Sequence, residues 1–176
     1  DMPTGLVGSE MCIRDSNTPG LRELQNEAAL ETLLSGISEL RARLEDRLQL
    51  YRPLAIKLSP DLEQQAIPVI ADLLRKYSVD GLIATNTTIT RDGVQGHPQA
   101  DESGGLSGAA LRDKSRQLLI DFYRELGEDI PIISVGGIDS AEEAKLRFEL
   151  GAKLIQLYTG LIYRGPGLVR QIAQSL

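Results

Sequence analysis

The sequence is poor in the residues that build disulfide frameworks and metal centres. One cysteine, Cys12, and one histidine, His97, stand in 176 residues. A single thiol excludes an intramolecular disulfide framework and makes a reducing compartment the default. One imidazole cannot build a zinc site by itself, so no metal is expected. His97 lies in a polar stretch between Gly96 and Pro98 and reads as a solvated loop residue. Positive charge is not in excess either: 19 Lys and Arg against 25 Asp and Glu give a net charge of −6. With no basic run present, nucleic acid is excluded as the main partner. No apolar segment is long enough to span a bilayer. No serine sits in a nucleophile elbow, and a lone histidine leaves a Ser-His-Asp set without its base.

What is present belongs to an ordinary globular protein, 41% hydrophobic and 25% charged, of a length that suits one domain. The most informative stretch runs from Ile130 to Gly167. Pro131 to Val135 is a short apolar run that ends in Gly136-Gly137, and Ser140 with Glu143 fits a capping box opening a helix. Gly151 closes that helix, and Lys153 to Tyr158 is a second apolar run, followed by Thr159-Gly160. Two parallel strands joined by a helix form a βαβ unit, whose functional loops leave the C-terminal ends of the strands. Gly136, Gly137 and Gly160 have no Cβ, so an anion can approach their N–H groups. Paired phosphate loops after the last two strands recur in (β/α)8 barrels. The plainer alternative is that these glycines only make tight turns.

Residues 1–16 (DMPTGLVGSEMCIRDS) show no period and no cap, and they read as a foreign leader joined just before Asn17. Leu24 to Leu50 is helical in pattern, with Leu33, Leu34, Ile37, Leu40, Leu44 and Leu48 near helical spacing. Leu54 to Leu58 is a short strand, and Ser59 or Asp61 can cap a helix over Leu62 to Tyr77. Val79 to Asn86 is the next strand. Thr87 to Gly108 is a long polar excursion, functional or a small strand pair, that ends in GGLSG. A helix from about Leu111 to Leu126 precedes the βαβ unit, and Leu168 to about Ser175 closes the chain.

Four strands separated by helices make an α/β chain and amount to half of a (β/α)8 TIM barrel, its last four βα units, carried by residues 17–176. Such a half leaves two edge strands. A flavodoxin-like sheet competes, but gives no reason for phosphate loops on the final two strands. Lys57 lies near the C-terminal end of an otherwise apolar strand, where burial demands an anion, an electron-rich group or a paired carboxylate. Thr85, Asn86 and Thr87 end the following strand, either facing a site or forming an Asx or Thr turn. An asparagine amide suits a ligand carrying carboxylate, amide and imide groups.

In order and spacing, SNTPGLRELQ, AIKLSPDL, DGLIATNTT, ESGGLSG, IISVGGIDS, GAKLIQLYTG and YRGPGLV resemble the C-terminal half of the dihydroorotate dehydrogenase family, in its class 2, quinone-reducing form. The resemblance covers essentially all of residues 17–176. It implies a (β/α)8 barrel that binds FMN and oxidises dihydroorotate to orotate in pyrimidine biosynthesis, with a quinone taking the electrons. By the same resemblance Lys57 lies near the flavin ring, and Thr85 and Gly108 contact the flavin. Gly137, Tyr158 and Thr159 belong to its phosphate loops, while Asn17, Asn86 and Thr87 hold the orotate ring. The resemblance also implies peripheral contact with the cytoplasmic side of the membrane through an N-terminal segment.

The family motif N-x-S-S-P-N-T-P-G reads I-R-D-S-N-T-P-G here. Without gaps, Asp15 falls at the catalytic serine and Ser16 at the proline, so Ser16 is a candidate base only with a shift of register. Cys12 is out of register with the cysteine base of the related class. The chain by itself is expected to turn over no substrate. Set against the flavoenzyme are a phosphosugar isomerase using the same phosphate loops, a non-catalytic fragment and an interaction module. The isomerase lacks a carboxylate at a strand end, and an interaction module would need an exposed patch that the sequence does not display.

Overall fold

Residues 26–176 are described by the structure, a computed structural model. Ser16, Asn17 and the leader of residues 1–16 lie outside them. The first described element is α1 (Glu27–Leu48), where Asn26 accepts the N–H of Ala29 at 3.0 Å and so caps the helix at a position that its leucine spacing alone puts inside it. There follow β1 (Ala55–Leu58), α2 (Ala66–Lys76), β2 (Gly81–Ala84), a 3₁₀ turn (Gly108–Leu111), α3 (Arg112–Leu126) and β3 (Ile132–Val135). The last elements are α4 (Ala141–Glu149), β4 (Ala152–Gln156), α5 (Thr159–Arg164) and α6 (Gly167–Ser175).

The four strands form one parallel sheet in the order β1-β2-β3-β4. Their register places Leu58, Ala84, Ser134 and Ile155 in a single row, so the C-terminal exits of all four strands stand level. The one irregularity lies at the other end, where Ile132 pairs with Ala152 and Ile133 with Leu154, leaving Lys153 as an extra residue. Among the described residues β1 and β4 are the edge strands of the sheet.

Two apolar clusters hold the layers together. The larger packs α1, α2 and α3 against the sheet through Leu34, Ile70, Leu74, Leu82, Leu119 and Phe122, all essentially inaccessible. The smaller joins α4 and α6 through Ile138, Ala144, Leu168 and Ile172. Exposed apolar side chains gather instead on β4 and α5, where Leu154 and Ile162 keep 60% and 66% of their surface and Tyr163 84%.

Local chemistry departs from pattern at four places. The helix expected from Leu62 begins at Ala66, and neither Ser59 nor Asp61 caps it, because Asp61 is drawn away to Thr88, Ile89 and Lys114. The expected capping box is half made: Ser140 accepts the Glu143 N–H at 3.2 Å, but the Glu143 carboxylate turns inward to Arg116 and Arg147. Ser140→Ala should therefore cost about 1 kcal/mol, the ordinary worth of an N-cap, read as a lower melting temperature of the protein. The turn expected after β4 winds into α5, a helix of 6 residues. The excursion after β2 forms no strand pair beyond the single antiparallel bridge of Thr88 with Leu106.

Candidate functional site

The level exits bring four loops together. Lys57 comes from β1, Thr85, Asn86 and Thr87 from the end of β2, Gly136 and Gly137 from the end of β3, and Gln156, Tyr158 and Thr159 from the end of β4. With Ser107 and Gly108 they line one cleft. Every described residue singled out in the sequence, Lys57, Thr85, Asn86, Thr87, Gly108, Gly137, Tyr158 and Thr159, is in its wall.

At the β2 exit the backbone stays in the sheet: Thr85 N–H donates to Val135 O at 3.0 Å and Asn86 N–H to Leu58 O at 2.8 Å, and the Ala84–Thr85 peptide is cis. The Thr85 hydroxyl donates to Asn86 O at 2.9 Å. Asn86 is only 3% exposed, and its Oδ1 accepts the Thr87 N–H at 2.8 Å. Its Nδ2 is buried with no hydrogen-bond partner among the described residues. A buried amide left with two unspent donors is costly, so it points to an acceptor supplied from outside the described chain.

The excursion is held in place by two fastenings. Arg91 donates to four of its carbonyls, Ile89, Ala100, Glu102 and Gly104, at 2.7–3.2 Å. Asp61 holds its start, accepting from Thr88 Oγ1 at 2.5 Å and Ile89 N at 2.9 Å and pairing with Lys114. Burial pushes the Asp61 carboxyl up, but the hydrogen bonds from Lys114, Thr88 and Ile89 outweigh it and hold the group below the usual carboxylate range. His97 is exposed, its Nδ1 accepting the Gln99 N–H at 3.2 Å, as a loop residue. Ser107 Oγ meets Thr159 Oγ1 at 2.9 Å, so GGLSG and the β4 exit touch across the cleft.

The glycine pair is tightly built. Gly136 and Gly137 have φ of +112° and +73°, a region that side chains rarely adopt. A Cβ on Gly137 would lie 2.5 Å from Arg112 Cα, and one on Gly160 2.2 Å from Ile138 O. Gly137 and Gly160 are thus required by close approach of backbone to backbone, while a Cβ on Gly136 would meet the Leu111 side chain at 3.0 Å. Beneath them Arg112 Nε donates to Gly137 O at 3.0 Å, and its Nη2 to Asp139 at 2.7 Å. Sequence reasoning passed over Ser107 and Gln156 in the wall and the arginines below it; Ser107 could have been found, since it lies inside the quoted GGLSG.

Similarity to known proteins can be set beside this geometry. Residues 10–176 match the family model described as dihydroorotate dehydrogenase. The dihydroorotate dehydrogenase (quinone) of Thiobacillus denitrificans is 49% identical over 164 residues, covering 93% of this chain and 49% of that protein. The enzyme of the same name from Idiomarina loihiensis is 48% identical over the same length. A crystal structure of the Eimeria tenella enzyme with ferulenol superposes with a TM-score of 0.84 at 33% identity, covering 93% of this chain and 47% of that one. The ligand-free form of that enzyme gives 0.82. The chain thus spans about half the length of the relatives it matches. With the family model spanning nearly the whole sequence, and with the sheet and the cleft assembled as above, this chain belongs to the dihydroorotate dehydrogenase family.

Proposed function

We propose that residues 17–176 contribute the last four βα units of a (β/α)8 barrel that oxidises dihydroorotate to orotate, using FMN and then a quinone. The observation that carries this reading is the convergence of four strand exits on one cleft that holds a lysine, a buried asparagine amide nitrogen with no partner among the described residues, and a glycine pair. The two sheet edges, and the apolar side chains bared on β4 and α5, support further chain packing there.

The residues present fit a flavin mononucleotide. Their donors divide by chemistry: Asn86 and Thr87 at the β2 exit, Lys57 on β1, and backbone amides with Thr159 at the β3 and β4 exits. Asn86 Nδ2 and Thr87 hold the carboxylate, amide and imide edge of dihydroorotate. Lys57 and Thr85 face the isoalloxazine, where a fixed cation favours negative charge developing on the ring. Gly137, Tyr158 and Thr159 grip the phosphate, and Gly108 lies against the flavin. When bound, the flavin supplies a hydride acceptor that a quinone can reoxidise. Ser16 is the candidate to take the proton from the substrate, with Asn17 as a further substrate contact. A serine can do so only if a polar network carries its proton onward, since its own pKa is unsuited. Peripheral contact with the cytoplasmic face of a membrane, through an N-terminal segment, belongs to the same proposal. Among the described residues no helix is long and apolar enough to cross a membrane.

The full-length protein should purify yellow, and dihydroorotate should bleach its flavin band under anaerobic conditions until quinone is added. A folded but colourless protein would overturn the reading. Lys57→Ala should slow flavin reduction on the order of a hundredfold, as loss of one preorganised electrostatic contact does, with the flavin still bound. An unchanged rate in stopped-flow reduction would remove Lys57 from its role.

A further inference from the structure

Behind the glycine pair lies an arginine that the proposed chemistry does not use. Arg147, on α4, has no accessible surface. Its guanidinium reaches four groups on four segments. Nε donates to Glu143 Oε1 at 2.6 Å, Nη1 to Ser134 Oγ on β3 at 3.1 Å, and Nη2 to Gly136 O at 2.9 Å and to Arg112 O at 3.1 Å. Gly136 O also accepts Ser115 Oγ at 2.8 Å. Two donors therefore hold that one carbonyl on the buried side.

A trans peptide is planar, so the carbonyl of one residue and the N–H of the next point in opposite directions. With Gly136 O drawn inward, the Gly137 N–H must face outward, into the cleft that Gly137 lines. Arg112 holds the next carbonyl, Gly137 O, in the same manner. Glycines at positive φ impose little orientation of their own, so direction has to come from what grips their carbonyls.

We infer that Arg147, fixed by Glu143, is a positioning residue that aims the Gly137 amide at the phosphate of the bound flavin mononucleotide. It never touches the ligand. A lysine cannot replace it fully, because a single ammonium lacks the planar fork that reaches Ser134, Gly136 and Arg112 together. This inference rests on the proposal that the cleft takes FMN, and the test separates the two.

Apoprotein of the full-length chain is titrated with FMN and with riboflavin, which has the same ring and no phosphate, following flavin fluorescence. Wild type should prefer FMN. Arg147→Met should weaken FMN on the order of tenfold while leaving riboflavin within about twofold, the signature of a lost charge-assisted contact rather than a loosened ring site. Arg147→Lys keeps the charge beside Glu143 and serves where the methionine variant fails to fold. It should melt close to wild type and still lose affinity for FMN alone. Equal weakening of both ligands, or of neither, overturns the inference. A wild type that binds riboflavin as tightly as FMN would instead strike down the phosphate assignment on which it stands.

Discussion

Gly137→Ala in the full-length protein is expected to lose its flavin during purification and to melt several degrees lower. Two costs add. At φ +73° an alanine is strained by about 1 kcal/mol. Its methyl would also lie 2.5 Å from Arg112 Cα and 2.8 Å from Arg112 N, and those backbone atoms at the start of α3 cannot swing away as a side chain tip can. Overpacking of this kind adds about 1–3 kcal/mol, relieved only by displacing the loop that carries the amide. Flavin affinity should fall by about a hundredfold, the size of two charge-assisted hydrogen bonds. Gly165→Ala is the control, since its φ is +69° but nothing lies within 4 Å of the added methyl. It should share the small strain and keep the flavin. If the two variants behave alike in melting and in flavin content, close approach at Gly137 is not what the loop depends on.

The second large effect concerns Glu143, which is 6% exposed and shared by Arg116 and Arg147. Glu143→Ala leaves the Arg147 guanidinium buried with no counter-charge within the pair and should destabilise the protein by about 3–5 kcal/mol, measured by denaturant unfolding. A loss below about 1 kcal/mol, the worth of an exposed pair, would mean that water reaches the site on removal of the carboxylate. The pH dependence follows from the same contact. Burial pushes the Glu143 carboxyl up, but hydrogen bonds from Arg116 and Arg147 prevail and hold it below its ordinary value. A carboxyl lowered on folding stabilises the protein above its unfolded pKa of about 4.3, and that stabilisation fades as pH falls through the lower folded value. Wild type should thus lose stability steeply below about pH 4, and Glu143→Gln should flatten that slope.

The alternation of strand and helix was legible because each apolar run is short and ends in glycine, serine or proline. So was the wall of the cleft, because strand exits carry their residues to one rim wherever the strands are parallel. Boundaries near polar residues were not. Ser59 and Asp61 look like caps for α2, yet a carboxylate within reach of Lys114 and two donors of the excursion does better there than at a helix end. Glu143 reads from the sequence as the capping-box partner of Ser140, yet its carboxylate is buried and paired with an equally buried Arg147. Only the fold places that face against the start of α3 and the end of β3, where carbonyls await a donor. The helix α5 was missed because 6 residues that begin Thr-Gly carry a turn's composition.

The row of Leu58, Ala84, Ser134 and Ile155 sets where this scaffold can vary. One residue gained or lost inside β2 would slide Asn86 by about 3.3 Å past Lys57 and turn it to the opposite face of the sheet, so strand length is not negotiable. The spare residue that β4 does carry, Lys153, sits at the far end, where it is absorbed before the chain reaches the rim. The stretch between Thr88 and Leu106 stands outside that row: one antiparallel bridge closes its ends and Arg91 gathers its carbonyls, so a residue added between those holds would bulge the loop and leave the strand exits where they are.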